Sequence, residues 1–311
     1  MDKKTFIKSV FPNLYLKRWK KVADRKLKRN QLLSKMPDQE RLETLKGIFR
    51  KKLGYELDID HPQTWCEKMQ WLKLYDATQE KTDWTDKIKA KELASQKIGS
   101  QYVIGILGKR GYKSFDEIDF STLPRQFVIK TNHGSGCNFF VKNKWLFLHS
   151  GLYKVARTYF KYWMQMDYGF DDGFELHYSA IERRIFVEEY VPALYEDLEE
   201  FRFMCFEGKP EYVEVKTGGH GLYRNIYDMD WNPLDVKWGH EQNTFKEKPV
   251  AYDEMKDLVG RLCKGFHFVR IDLNYSGGQI YFGEMTFTSG SGFVRIKPKE
   301  FDDKLGELIH I

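Results

Sequence analysis

The run FVIKTNHGSG, residues 127–136, constrains the fold of this chain more than any other stretch. A short apolar strand ends on Lys130 and opens at once into a loop carrying Gly134, Ser135 and Gly136. Backbone N–H groups in such a loop can approach phosphate oxygens closely, and a lysine beside them supplies a compact positive charge. The order differs from the G-x-x-x-x-G-K-[ST] phosphate loop, because here the lysine precedes the glycines. Taken alone, the run fits either a phosphate-facing loop or an ordinary sharp turn after a strand.

A second segment bears on that choice. The spacing predicts a β-hairpin over 268–286, with two β-rich runs joined through Ser276-Gly277-Gly278. Alternation groups Phe268, Arg270 and Asp272 on one face, and likewise Ile280, Phe282, Glu284 and Thr286. A turn centred on Gly278 sets Asp272 opposite Glu284 and Arg270 opposite Thr286. Cross-strand neighbours lie roughly 4.5–5.5 Å apart at Cβ, so the two carboxylates repel unless a cation stands between them. Mg²⁺ is the natural candidate, being held by one or two carboxylates plus substrate phosphates. The competing reading is a solvated face whose charges are simply hydrated.

With 311 residues, 41% hydrophobic, 16% aromatic and 31% charged, the chain can bury a full core in one large domain or two lobes. No apolar run approaches the roughly 20 residues that cross a bilayer, and the first residues lack a secretory apolar region. Cys66, Cys137, Cys205 and Cys263 are scattered without metal-site spacing, so a disulfide framework or structural zinc is not expected and a cytoplasmic location is. Residues 1–30 hold eleven Lys/Arg against Asp2 and Asp24, a charge of +9 in a chain of net +6. These cations are interleaved with Phe6, Phe11, Leu14, Tyr15, Trp19 and Val22. Such a segment suits the inner membrane surface, a helix packed on the protein body, or nucleic acid. Nucleic acid is disfavoured because nothing beyond this segment is basic.

Helical spacing is present over 39–53, 65–74, 83–98, 151–166 and 252–266, with a last helix near 299–309. Strands are expected at 126–131 paired with 138–142, at 185–191, and in a meander of 201–206 with 211–216. Residues 217–250 read as one long loop, with Gly218-Gly219-His220-Gly221 as a flap or a plain loop. The pattern is α+β with an antiparallel sheet in the second half.

These segments, in this order, resemble the TupA-like ATP-grasp proteins of bacterial teichuronopeptide, capsule and exopolysaccharide synthesis. The residues carrying the likeness are Asp86-Lys87 and the following helix, 115–120, 126–136, 187–191, 201–210, 227–232, 269–273 and 282–293. The resemblance covers about residues 45–305 and leaves out the basic leader. It implies an ATP-grasp fold, in which two α+β lobes clasp ATP; the basic N-terminal segment, read as helical, stands outside that match. The corresponding division is 1–80 for the N-terminal region, 81–187 for the first lobe and 188–311 for the second.

The resemblance further implies lysines on the ATP phosphates, here Lys130 and Lys87, with Lys91 as the alternative to Lys87. His133, Gly134, Ser135 and Gly136 belong to the phosphate loop, His133 either touching phosphate or shaping the loop through its backbone. Glu188, Glu189, Tyr190 and Val191 match the adenine hinge, Glu188 near the exocyclic amine, and Glu196 or Asp197 the ribose acid. Asp272 and Glu284 match the Mg²⁺ acids; Thr286 stands where many relatives carry a metal-binding asparagine. Arg270 matches the arginine that steadies the charged intermediate, and Arg202 a basic group near the phosphates. Ser289 and Ser291 fall where a substrate carboxylate is bound.

The implied reaction is attack of a carboxylate on the γ-phosphorus of ATP, giving an acyl phosphate and ADP, followed by attack of an amine that expels phosphate and forms an amide. The implied substrates are an amino acid and a uronic acid on a polysaccharide precursor. Two rivals remain. A metal-dependent glycosyltransferase needs a D-x-D pair, and Asp58-Ile59-Asp60 and Asp228-Met229-Asp230 fit the letters. A catalytically silent nucleotide-binding or scaffold protein is the other.

Overall fold

Asp86 divides what the spacing predicts as one helix over 83–98. Its side chain accepts from the backbone N–H groups of Ile88 at 2.9 Å and Lys89 at 3.4 Å, starting a new helix there. The computed structural model describes residues 3–171, 173–192, 199–217 and 223–311. Its helices are α1 (Lys3–Val10), α2 (Pro12–Ser34), α3 (Asp38–Leu53), α4 (Trp65–Tyr75), α5 (Gln79–Thr85), α6 (Lys87–Ile98), α7 (Lys144–Leu148), α8 (Gly151–Trp163), α9 (Tyr252–Leu262) and α10 (Lys299–Glu307). Among the described residues no helix is long and apolar enough to cross a membrane.

Two antiparallel sheets carry most of the rest, and a third is the short pair β9 (Lys237–Trp238) and β12 (Ile296–Lys297). The first has the order β1 (Ile106–Tyr112), β4 (Ile185–Glu189), β2 (Phe127–Thr131), β3 (Asn138–Val141). Phe127, Ile129, Phe139, Val141, Ile185 and Val187 alternate onto one face, where they bury against Val155, Ala156 and Phe160 of α8 and Leu16 of α2. The residues between them, Lys130 and Phe186, are cross-strand partners on the other face, with Glu188.

The second sheet has the order β11 (Gln279–Thr286), β10 (Phe268–Ser276), β5 (Glu199–Phe206), β6 (Lys209–Thr217), β7 (Tyr223–Asp228), β8 (Pro233–Leu234). Phe203, Cys205, Val213, Val215, Val269, Ile271 and Leu273 cover one face, packed on α9 and on Ala90, Ala94 and Ile98 of α6. The other face is split. At one end Met204, Phe206, Tyr212, Ile226 and Phe268 lie with Leu45 and Phe49 of α3, Trp65 and Met69 of α4, and Phe301 and Leu305 of α10. At the other end, charged residues form a cross-strand row in which Glu284 faces Asp272, Asp272 faces Arg202, and Arg202 faces Glu214. The fold is α+β, and its polar faces belong to one sheet each.

Two sequence expectations change here. Residues 217–250 hold more than a loop, since Tyr223–Asp228 is β7, a third strand of the meander. The flap 218–221 lies outside the described residues. In the hairpin, Ser276 pairs with Gln279, so the turn is the two residues Gly277-Gly278, both at positive φ. The register then slips by one residue between Asp272 and Leu273, leaving Gly283 as the bulge. The slip restores Asp272 opposite Glu284 and Arg270 opposite Thr286. It also moves Ile280 and Phe282 to the buried face with Ile271 and Leu273, away from Glu284.

Candidate active site

The first wall of the site is built around Asn132, which is fully buried. Its Nδ2 donates to Asp86 Oδ2 at 2.9 Å and to the Glu182 carbonyl at 2.9 Å, while its Oδ1 accepts from Arg184 N at 2.7 Å. Its own carbonyl accepts from Lys87 N at 2.9 Å. One side chain thus ties the start of α6 to the end of β2 and the approach to β4. Beyond it the loop turns through Gly134 and Gly136 at φ of +81° and +71°. A Cβ at Gly134 would lie 2.7 Å from the Tyr168 ring, so only glycine fits. Nothing lies within 4 Å of where a Cβ would stand at Gly136, which leaves the loop open to the cavity.

Three lysines line the cavity beside this loop. Lys87 Nζ donates to the Gly134 carbonyl at 2.6 Å. Lys91 pairs with one Glu188 oxygen at 2.5 Å and Lys130 with the other. Burial pushes the Lys87 and Lys91 ammonium groups down, with Lys130 adding to the effect on both. Burial also works to raise Glu188, but Lys130 and Lys91 outweigh it and hold the carboxyl below its ordinary range.

The opposite wall is the charged row of the second sheet. Arg270 grips Asp272 with two parallel bonds of 2.6 Å, from Nε to Oδ1 and from Nη2 to Oδ2. Its Nη2 also lies 3.3 Å from Glu284 Oε1 and 3.2 Å from Thr286 Oγ1, and its Nη1 donates to Ser289 Oγ at 2.9 Å. Arg202 donates to Glu200 at 2.8 Å and to Glu214 at 3.1 Å, with Asp272 3.6 Å away. The cation standing between the facing carboxylates is therefore Arg270. Burial pushes Asp272 up, to about 6, against the pull of Arg270 and Arg202. Burial would also raise Glu284, yet Lys87, Arg270 and Arg202 prevail and lower it. The Glu284 side chain is 41% exposed.

Between the walls lies a cavity of about 380 Å³, within the usual range for small-molecule sites. Lys87, Lys91, Lys130, Lys216, Glu188, Glu200, Asp272 and Glu284 line it, with Trp84, Phe186 and Met285 as apolar surfaces. Among the described residues no three His, Cys, Asp or Glu side chains form a metal-binding group. Asp272 and Glu284 nevertheless fit Mg²⁺, which takes one or two carboxylates and completes its shell from phosphate and water. A larger groove of about 860 Å³ lies beside α2 and α8 and contains none of the predicted site residues.

The structure brings Lys87, Lys91, Lys130, Gly134, Ser135, Gly136, Glu188, Asp272 and Glu284 to one cavity. Arg270, Arg202 and Thr286 join the ion-pair and hydrogen-bond network behind the acids. His133 is turned away: its ring is buried against the Trp163 carbonyl at 3.1 Å, and burial pushes it down to about 4. It shapes the loop through its backbone, whose carbonyl accepts from Thr131 Oγ1 at 2.7 Å, and its side chain does not line the cavity. Glu188 lies inside β4, between β1 and β2, with its carboxylate spent on two lysines. Glu189, Tyr190 and Val191 do not line the cavity, and Glu196 and Asp197 lie outside the described residues. Ser289 holds Arg270, and the Ser291 carbonyl accepts from buried Lys73 at 2.8 Å. Sequence reasoning missed Asn132 as the staple and Glu200, Glu214 and Lys216 as network members. The E-x-R of β5 and the E-x-K of β6 are the readable signal, each placing two opposite charges on one sheet face.

A family profile described as TupA-like ATPgrasp matches residues 67–310. Solved structures that align with the chain include a D-alanine–D-alanine ligase from Bacillus anthracis complexed with ATP. That alignment has 15% identity and a TM-score of 0.43, and covers 73% of this chain and 63% of that one. Another is the biotin carboxylase domain of the Hydrogenobacter thermophilus 2-oxoglutarate carboxylase, at 14% identity and TM-score 0.37, covering 66% and 40%. A third is the D-alanine–D-alanine ligase of Helicobacter pylori, at 13% and 0.39, covering 73% and 61%. The chain thus spans less than two thirds of the length of each. No curated protein matches it.

Proposed function

The chain belongs to the TupA-like ATP-grasp family, and on that premise we propose that it is an ATP- and Mg²⁺-dependent carboxylate–amine ligase. The observation that carries the reading is the pairing of two unlike walls across one cavity, lysines and an open glycine loop facing a carboxylate pair. Lys87, Lys91 and Lys130 neutralise phosphate oxygens, and the backbone of 134–136 approaches them closely. Asp272 and Glu284, with Thr286 beside them, would hold the metal. Bound Mg²⁺ supplies Lewis-acid stabilisation of the charge that builds on the transferred phosphoryl group. Arg270, released from part of its grip on Asp272, stabilises the oxyanion formed as the amine attacks the acyl phosphate. Arg202 keeps the acids in register. No side-chain nucleophile is needed.

The substrates that fit the family resemblance are an amino acid and a uronic acid of a surface-polysaccharide precursor. The glycosyltransferase reading loses its D-x-D pairs to local turn chemistry. Asp58 accepts from Asp60 N at 3.1 Å and His61 N at 2.8 Å, and Ile59 between them is buried. Asp228 accepts from Asp230 N at 3.0 Å and Asn232 N at 2.8 Å.

Titration calorimetry of ATP, UDP-glucuronate and UDP-galacturonate, each with Mg²⁺, tests the reading. Binding of ATP that is lost in Lys130→Ala and Asp272→Asn is the expected result. Tight binding of a UDP-sugar with none of ATP overturns it.

A further inference from the structure

The helix α2 buries one stripe and, among the described residues, leaves the opposite stripe without a partner. Leu16, Ala23 and Asn30, seven residues apart, are its buried positions. Around them the docking is firm: Trp19 packs on Tyr159 at 4.5 Å, Tyr162 donates to the Ala23 carbonyl at 2.6 Å, and Asn30 Nδ2 donates to the Asp167 carbonyl at 2.6 Å. At about 100° per residue the far side of the helix carries Leu14, Arg18, Lys21, Arg25, Lys28 and Leu32, with Val22 and Arg29 flanking. No acid falls on this face, since the one acid of α2, Asp24, lies to the side.

Among the described residues Arg18, Lys21, Lys28 and Arg29 have no carboxylate partner, and Arg25 donates only to the Lys21 carbonyl. Leu14, Val22 and Leu32 are 57%, 63% and 72% exposed on the same surface. Phe6, Val10 and Phe11 add an exposed apolar cluster at the α1–α2 junction. Beside the helix, the groove of about 860 Å³ is lined by Lys20, Lys113, Lys154 and Lys161 against Asp24 and Asp116, the latter paired with Arg157.

We propose that this face is a docking surface for an anionic lipid bilayer, with α2 lying along the headgroups and Phe6, Phe11 and Leu14 inserted at its N-terminal end. Charge complementarity selects an anionic partner, since residues 1–30 hold +9 while the other 281 residues hold −3. The exposed apolar tips select the bilayer over nucleic acid, because they gain only where hydrocarbon receives them. At 23 residues the helix is roughly 34 Å long, enough to hold the body against a surface along its whole length.

The test is co-sedimentation of the full chain with phosphatidylcholine vesicles, with and without phosphatidylglycerol. Binding is expected only with phosphatidylglycerol. It should fall at least about tenfold in the triple variant Arg18→Glu/Lys21→Glu/Arg25→Glu, and become more salt-sensitive in Leu14→Ser/Leu32→Ser. None of these residues lines the nucleotide cavity, so unchanged Mg-ATP binding shows that the variants fold and keeps this question apart from the ligase reading. Equal binding to both vesicle types, binding to neither, or tighter binding to duplex DNA than to the anionic vesicles overturns the proposal.

Discussion

Arg270 serves two masters. Its guanidinium neutralises a buried Asp272 while the second carboxylate, Glu284, stays within 3.3 Å. Removing the arginine leaves Asp272 buried without its main counter-ion, so Arg270→Met should cost about 3–5 kcal/mol in urea unfolding. Adding Mg²⁺ should recover part of that loss if the carboxylates bind it, and no recovery would count against the metal assignment. Two histidines give a separate prediction. His133 and His177 are each 2% exposed, and burial pushes them down to about 4 and about 3. Unfolded, each protonates near pH 6.5, so between that value and about pH 4 the unfolded chain binds more protons than the folded one. The histidine contribution to stability should therefore fall as the pH falls through this window, by about 1.6 kcal/mol per histidine between pH 6.5 and 5, against an opposite contribution from Asp272, whose carboxyl takes up its proton near pH 6 in the fold. Urea midpoints at those two pH values check it, and His133→Gln should flatten the dependence.

At the scale of elements, the hairpin shows both the reach and the limit of sequence reasoning. Counting from a turn on Gly278 yields the right partners for Asp272 and Arg270, although the turn is Gly277-Gly278, because the bulge at Gly283 adds the missing residue. Two errors cancel at the site and remain visible in Ile280 and Phe282, which take the buried face. A bulge has no signature beyond a glycine in a strand, and here the glycine is required. A Cβ at Gly283 would lie 2.8 Å from the Asp272 carbonyl oxygen and 3.1 Å from Asn274 Nδ2. Gly283→Ala should lower stability by about 1–3 kcal/mol and weaken Mg-ATP binding, as measured by unfolding and calorimetry. Unaltered affinity would mean that the bulge does not set the carboxylate pair.

β7 was hidden for a different reason. Asn225, Ile226 and Tyr227 are buried in succession, so strict alternation fails, and among the described residues the Asn225 side chain bonds to Asn243 and the Thr244 carbonyl, 18 and 19 residues away. The lysine, glycines and acids of the site were legible because each is a local residue type with a local chemical use. The Asn132 staple was not, because its meaning lies in contacts with Asp86 and Glu182, which are 46 and 50 residues away.

For the whole molecule, the decisive fact is that the site belongs to neither sheet. Lys130 and Glu188 stand on the first sheet, Asp272 and Glu284 on the second, and α6 brings Lys87 and Lys91 between them. The cavity lining carries four lysines and four carboxylates, so its charge is balanced before anything binds. A polyanion alone meets Glu284 and Asp272 as repulsion, whereas the same polyanion with a divalent cation satisfies both walls at once. Mg²⁺ and ATP together should therefore stabilise the fold more than the sum of each alone. A ligand at about 100 times its Kd adds about 2.7 kcal/mol, which for a chain of this length is a rise in Tm on the order of 5 °C. Thermal unfolding with ATP plus Mg²⁺, ATP plus EDTA, and Mg²⁺ alone reads this directly. Lys130→Ala should abolish the joint shift by disarming the first sheet, and Asp272→Asn by disarming the second. If ATP with EDTA stabilises as much as ATP with Mg²⁺, the carboxylate wall does not hold a metal, and the cavity closes on its ligand from the lysine side alone.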